Sequence, residues 1–288
     1  IRVLMKSVQL PHQDVQQNIS PHRALSDLLT SLLELPKNLD RDVFGLTSDS
    51  RKVRNGYVFM ALPGFGQHDG RDFIQDALAA GASAIISELS SQKTIKTSLL
   101  PKNDSSNERV PHIQVPDLQK KAGIIADTFY DQPTMQMQVI GVTGTNGKTT
   151  VSSILTQCLQ RLETRTTFIG THGYGQNFAK LHATGVTTPG ALDLQHIFYK
   201  VRKEGSEAIC MEVSSHAIDQ SRITGTRFDT LILTNVTRDH LEYHGSEKAY
   251  TATKARLFQE YDARTIVLNL DDPLGRTLLR EHTGDAEI

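Results

Sequence analysis

Residues 137 to 155, MQVIGVTGTNGKTTVSSIL, join a short apolar run to a Gly-rich turn that ends in Lys148, Thr149 and Thr150. Val139, Ile140 and Val142 suit a buried parallel strand, and Val151, Ile154, Leu155 and Leu159 recur at helical spacing, so the turn is expected to open a helix. Backbone N–H groups at such an N-terminus face an anion. Gly144 and Gly147 allow positive φ and close backbone approach, Lys148 offers a mobile cation, and the Thr149 hydroxyl is placed to ligate a phosphate-bound magnesium. The strict GxxxxGK[ST] spacing is not met, because its first position falls on Val142 and Gly141 stands one residue early. A phosphate-binding loop and an ordinary strand-to-helix turn are both open on spacing alone, and the Gly-Lys-Thr-Thr ending favours the nucleotide.

The rest of the chain sets looser bounds. Its 288 residues are long for one core, and 38% hydrophobic content suffices for globular folding, so two domains are expected. The charge is balanced, 31 basic against 32 acidic residues, which leaves no electrostatic footprint for nucleic acid or an anionic membrane. No apolar run approaches the roughly 20 residues of a membrane span, and no signal-peptide core opens the chain, so a cytoplasmic protein is expected. Cys158 and Cys210 belong to no CxxC pair and read as buried reduced thiols. Residues 1–20 read as a polar tail, with Met5 as the natural start.

From Asp42 to about Pro133 the pattern is a small α/β unit: apolar GYVFMAL at 56–62, helical FIQDALAAG, then strand-like SAIIS. Residues 90–112 are polar, Ser-rich and broken by Pro101 and Pro111, and read as mostly loop. LQKKAGIIADTFY has helical periodicity and closes at Asp131-Gln132-Pro133, which puts a boundary between domains at 21–133 and 134–288. Beyond it, strand candidates RTTFIGT, EAICMEV, FDTLILTN and RTIVLNL alternate with helical LDLQHIFYKVRKEG and EKAYTATKARLFQEY. This alternation predicts an α/β fold with a mostly parallel sheet, whose functional residues gather beyond the carboxyl ends of the strands.

Several polar clusters fall at such ends. Glu212 is the first carboxylate after AICMEV; it reads as a magnesium ligand opposite Thr149 or as a solvated carboxylate or helix cap. Ser214, Gln220 and Arg222 offer donors for an anionic substrate. Asn235, Arg238, Asp239, His240 and His244 crowd into ten residues, where His240 is either a second metal ligand or a hydrogen-bonded structural group. Lys254 lies in a helical stretch and reads by default as a solvated cation. Ser48, Ser50 and Arg51 precede a Gly-rich loop from Gly64 to Gly70, which holds a polar ligand or simply punctuates turns.

Taken in order, DSR with GYVFMALPGFGQHDG, GVTGTNGKTT, TTP, MEVSSHAIDQSR, TNVTRDHLEYHG and AYTATKARLF resemble the Mur ligases, from about Leu46 to about Gly275. These are ATP-dependent amide-forming enzymes of peptidoglycan synthesis, and the TTP and EVSSH segments look like the branch that adds the third residue of the peptide. The resemblance implies a small N-terminal UDP-binding α/β domain, a P-loop-type ATP-binding central domain, and ATP and Mg2+ as cofactors. It implies that Ser48, Ser50, Gly66, Gln67 and His68 bind the uridine end of UDP-N-acetylmuramoyl-dipeptide, and that Thr187, Thr188, Ser214, Gln220 and Arg222 hold its muramoyl-dipeptide. Gly144, Thr145, Asn146, Gly147, Lys148, Thr149 and Thr150 would bind ATP. Thr149 and Glu212 would serve one magnesium and His240 a second. Lys254 matches a lysine that this family carbamylates, which reverses its default reading. Asn269 to Asp272 resemble the segment near the adenine-ribose side.

In the implied reaction, the substrate's terminal carboxylate attacks the γ-phosphate of ATP, and a diamino acid, meso-diaminopimelate or L-lysine, then displaces phosphate from the acyl phosphate. Mur ligases carry a third, C-terminal domain that the sequence ending EHTGDAEI does not reach. The expectation is accordingly a monomeric fragment with an incomplete central domain, weak nucleotide binding and little ligase activity alone. Two other readings remain: a folylpolyglutamate synthase-like ligase, which shares the ATP loop, and a non-catalytic nucleotide- or UDP-sugar-binding module.

Overall fold

The computed structural model describes residues 21–64, 69–90, 94–103 and 107–288. The tail 1–20, with Met5, and the loop residues Gly66, Gln67 and His68 lie outside them.

A two-residue ladder pairs β1 (Arg23–Ala24) with β2 (Asp42–Val43), and α1 (Leu25–Leu29) runs between them. The first main sheet comprises β3 (Gly45–Thr47), β4 (Tyr57–Ala61), β5 (Ala84–Glu88), β6 (Lys96–Pro101) and β7 (Arg109–Val115), with α2 (Ile74–Ala79) between β4 and β5. Its order is β3-β4-β5-β7-β6, parallel except for the edge strand β6. α3 (Leu118–Phe129) follows, its first N–H groups held by Glu88, whose carboxylate accepts from Asp117 N at 2.9 Å and Leu118 N at 2.7 Å. An acid at a helix N-terminus satisfies donors that the helix cannot.

The second sheet contains β8 (Gln138–Thr143), β9 (Thr166–Gly170), β10 (Gly173–Gly175), β11 (Ala208–Glu212), β12 (Thr230–Leu233) and β13 (Thr265–Leu268) in the order β10-β9-β11-β8-β12-β13. All its pairs are parallel except β10–β9. The helices are α4 (Lys148–Arg161), α5 (Ala191–Lys203), α6 (Ser215–Asp219), α7 (Leu241–His244), α8 (Glu247–Glu260) and α9 (Pro273–Glu281). The fold is α/β, as the alternation predicts. Chain order reverses at β8, which has β11 and β9 on one side and β12 and β13 on the other. Ligands bind at such a switch point beyond the strand ends.

The two sheets meet through α3 and α5. Leu46, Ile113, Phe129 and Tyr130 share one core with Ala191, Leu192 and Tyr199 of α5. Each large side chain buried there contributes about 1.5–3 kcal/mol. Gly123 of α3 rests directly against the backbone carbonyl of Thr224, where any Cβ would collide. Gln119 Nε2 donates to Gln220 O at 2.9 Å beside this contact.

Two expectations fail. Among its described residues the Ser-rich segment is not mostly loop, since Lys96–Pro101 and Arg109–Val115 form an antiparallel hairpin. Being the exposed edge, β6 needs no apolar alternation; Pro101 ends it, and Pro111 falls just before the residues of β7 that pair with β5. Second, Cys158 is exposed on α4, and only Cys210, in β11, is a buried thiol. The turn opens α4 as expected; that helix buries the small polar Ser152 and Thr156 while Ile154 remains 53% exposed.

Candidate functional site

The turn after β8 is shaped by its neighbour β12 more than by its own side chains. Gly144 has φ 150° and Gly147 φ 85°, both in the region that favours glycine, and a Cβ on Gly144 would strike the Thr234 hydroxyl. Thr234 Oγ1 donates to Asn146 O at 2.6 Å, and Asn235 grips Asn146 twice, accepting from its N at 3.1 Å and donating to its O at 3.0 Å. Gly141 has another purpose: it lies within β8, where a Cβ would meet the Phe228 ring at 2.8 Å. The loop glycines are therefore Gly144 and Gly147, and the displaced Gly141 is a packing residue.

Gly147 opens α4 without any side-chain cap, so the N–H groups of Lys148, Thr149 and Thr150 form an uncapped, positively polarised end. Lys148 folds over the loop, its Nζ donating to Gly144 O at 2.8 Å and Thr145 O at 2.9 Å. Burial pushes its ammonium below the ordinary lysine range, against the opposing pull of the Glu212 and Asp239 carboxylates.

Glu212, at the end of β11, is fully buried and so neither solvated nor a cap. Its carboxylate accepts from Thr171 N at 3.0 Å and Thr171 Oγ1 at 3.2 Å, and the Thr171 hydroxyl also lies 3.1 Å from that of Thr187. Thr188 Oγ1 donates to Glu212 O at 2.9 Å and accepts from Ser214 N at 3.1 Å; Ser214 in turn caps α6 through Ala217 N. Arg222 Nη1 donates to Thr188 O at 3.0 Å, while its Nε donates to Gln220 Oε1 at 2.9 Å. The structure thus brings Thr187, Thr188, Ser214, Gln220 and Arg222 onto one rim around Glu212.

Lys254, on α8, is not solvated: it is 1% exposed, and among the described residues no carboxylate forms an ion pair with it. Its Nζ donates to Gly144 O at 2.9 Å and stands 4.8 Å above the centre of the Tyr250 ring. Burial, reinforced by the charge of Lys148, pushes its pKa down to about 7. A lysine in this state carries a large neutral, nucleophilic fraction near neutral pH.

His240 starts α7 at φ 49°, 3.5 Å from Asp239 Oδ2 and 3.4 Å from Glu242 Oε1, with its ring edge-on to His216 at 4.9 Å. Asn269 and Asp272 brace the loop from the far side, Asn269 Nδ2 donating to Thr234 O at 2.7 Å and Asp272 Oδ2 accepting from Val236 N at 2.6 Å. Ser48 and Ser50 sit at the end of β3 in the other sheet, where Asp49 caps the turn and pairs with Arg51 at 2.8 Å. That pair holds the Asp49 carboxyl below its usual range and occupies the cation of the DSR segment. Among the described residues nothing hydrogen-bonds Ser48 or Ser50 to the loop around Lys148.

Thr171, Thr234 and Tyr250 are site residues that sequence reasoning missed. Each had a positional signal: Thr171 and Thr234 immediately follow strands, and Tyr250 precedes Lys254 by one helical turn. Among the described residues no three His, Cys, Asp or Glu side chains are gathered to hold a metal. The Thr149 hydroxyl and the Glu212 carboxylate are nevertheless oxygen donors of the kind that magnesium takes beside phosphate and water. A cavity of about 810 Å³ lined by Tyr261, Arg264, Leu278 and His282 lies elsewhere and shares none of these residues.

Comparison with known proteins gives two family matches, Mur ligase family, catalytic domain over residues 42–130 and Mur ligase middle domain over residues 142–286. The UDP-N-acetylmuramoyl-L-alanyl-D-glutamate--2,6-diaminopimelate ligase of Coxiella burnetii is 42% identical over 257 residues, which are 88% of this chain and 50% of that protein. The enzyme of the same name from Xanthomonas campestris is 44% identical over 255 residues, 88% of this chain and 48% of its own. A solved structure of a ligase with this name is 30% identical at TM-score 0.69, covering 86% of this chain and 48% of that one. An Acinetobacter baumannii D-alanyl-D-alanyl ligase at 18% identity and TM-score 0.57 shares the fold. The chain spans about half the length of the curated relatives it matches.

Proposed function

The chain belongs to the Mur ligase family, and from that premise we propose that it supplies the nucleotide- and UDP-substrate-binding parts of an ATP-dependent ligase. The reaction is addition of 2,6-diaminopimelate to UDP-N-acetylmuramoyl-L-alanyl-D-glutamate through an acyl phosphate, in the synthesis of peptidoglycan. The observation that carries this reading is the buried Lys254, which among the described residues forms no ion pair and lies 2.9 Å from the carbonyl of Gly144 in the loop after β8. A structural lysine so placed is costly, whereas a neutral amine there adds to CO2, forming an N–C bond and losing a proton to give a carbamate.

In this reading residues 21–133 bind the uridine end through Ser48, Ser50 and the loop with Gly66, Gln67 and His68. Thr187, Thr188, Ser214, Gln220 and Arg222 orient the muramoyl-dipeptide so that its D-glutamate carboxylate faces the γ-phosphate. Gly144 to Thr150 cradle the phosphates, and Lys148 neutralises charge between two anions that otherwise repel. Thr149 and Glu212 would hold one magnesium, and His240 with the Lys254 carbamate a second, which would supply further positive charge beside the phosphoryl group. The carboxylate oxygen bonds to phosphorus as ADP leaves; the incoming amine then bonds to the acyl carbon as phosphate leaves. Alignment of the two reactants contributes on the order of 7–11 kcal/mol to such a step.

Calorimetric titration tests this. The expected result is binding of MgATP and of UDP-N-acetylmuramoyl-L-alanyl-D-glutamate with no binding of a folate; folate binding in place of the UDP-sugar would overturn the assignment in favour of a folylpolyglutamate synthase-like ligase.

A further inference from the structure

Tyr250 is 1% exposed and stands on α8 one turn before Lys254. Its two ends meet different parts of the site. The hydroxyl lies 3.1 Å from Thr145 Oγ1 in the phosphate-binding loop, and the ring face lies 4.8 Å below Lys254 Nζ. We propose that Tyr250 is a positioning residue, fixing the loop with its hydroxyl and the Lys254 amine with its ring. The inference rests on the ligase reading above and adds to it a coupling between the nucleotide loop and the carbamylated lysine.

Hydrogen-bond counting sets the direction of the first contact. Thr145 Oγ1 donates its one proton to Thr237 O at 3.1 Å and accepts from Thr237 N at 2.9 Å. One lone pair remains, so the Tyr250 hydroxyl donates to it. Thr145 is thereby held on three sides while its own N–H donates to Asn235 O at 2.7 Å. The loop that must open toward phosphate is pinned at its second residue.

The ring is held just as firmly. His244 packs against it at 5.2 Å, and His244 Nε2 is 3.0 Å from Ser215 Oγ, three residues beyond Glu212. A ring fixed in this way presents its electron-rich face to Lys254 when the lysine is an ammonium and confines the amine to the side where Gly144 O lies when it is neutral. A residue that merely filled space would need neither a hydroxyl bonded to the loop nor a backing histidine tied to α6.

Two variants separate the two ends. Affinity for MgATP is read by displacement of a fluorescent ATP analogue, carbamate by 13C NMR after equilibration with [13C]bicarbonate, and folding by thermal melting. Tyr250→Phe keeps the ring and is expected to weaken MgATP binding about twofold to twelvefold, the scale of one hydrogen bond, while leaving the carbamate signal intact. Tyr250→Leu is expected to weaken MgATP equally and to reduce the carbamate signal at least about threefold through loss of the ring. Unchanged MgATP affinity in Tyr250→Phe, or losses of both readouts that simply follow melting temperature, would overturn the role of Tyr250 alone. Parent protein that binds no MgATP and forms no carbamate would overturn the ligase reading and this role together.

Discussion

Two ionisable groups, the half-buried Asp127 and the buried Lys254, are driven toward neutrality by the same cause and to different ends. Lys254 points at the loop after β8, where the proposed reading gives a neutral amine its chemistry. Asp127, on α3, abuts Gly225; its Oδ1 is buried and has no partner among the described residues, and burial raises its pKa to about 6. A carboxyl raised in the folded state is fully tolerated below its unfolded value near 3.8, and that tolerance is lost as pH climbs through about 6. Asp127→Asn should therefore match the parent at pH 3.5 and exceed it by about 1 kcal/mol at pH 8, a figure discounted for partial exposure. Urea denaturation at the two pH values checks this; an equal difference at both would reject it. The sequence carried no hint of Asp127, since burial without a partner is a property of packing. Lys254 became visible only through its resemblance to a family, because a lysine on an amphipathic helix reads as solvated until the opposite face is known.

At the scale of elements, the alternation of apolar runs with helical stretches was sufficient for the five parallel strands of the second sheet but not for its short antiparallel edge β10, Gly173–Gly175, which has no apolar run. It was insufficient for β6, an edge strand with five exposed positions in six, which has no apolar pattern to read. At α4 it gave the helix but not its inward face, which carries Ser152 and Thr156 while Ile154 is exposed. Close approach of α3 to the turn at Thr224 was equally hidden, because a glycine inside a helix looks like a weakness. Helix propensity says that Gly123→Ala should stabilise by about 1 kcal/mol. The collision with Thr224 O opposes this, and backbone cannot yield as a side chain can. A net loss of about 1–3 kcal/mol is expected, measured as a lower denaturation midpoint, because overpacking outweighs propensity at a contact this close. Any gain in stability would show that α3 moves freely over the second sheet.

Across the whole molecule, the phosphate-binding loop and the turn after β3 belong to different sheets, joined by the packing of α3 on α5. Ligands that bind only the folded state raise stability by mass action, about 2.7 kcal/mol at a hundredfold excess over Kd. Lys148→Met should abolish the rise in melting temperature produced by MgATP and leave that produced by the UDP-muramoyl substrate, since Ser48 and Ser50 have no bond to the loop. Loss of both shifts would mean that the nucleotide organises the uridine end as well. That the candidate residues cluster at strand ends was legible; which residues brace them was not. Thr234 is far from the loop in sequence, and a chain read one window at a time cannot reveal a partner 88 residues away.

That separation of Thr234 from Asn146 also bears on the order of events in time. The loop takes its shape from a strand that emerges long after it, so the local segment Gly144 to Thr150 has no means of assembling the pocket by itself. Closing so long a contact is slow compared with winding α4. A growing polypeptide therefore displays the Gly-Lys-Thr-Thr turn early but completes the loop's braced shape only once β12 has docked beside β8. In the proposed reading, nucleotide capture during synthesis is then a late event that reports completion of the sheet.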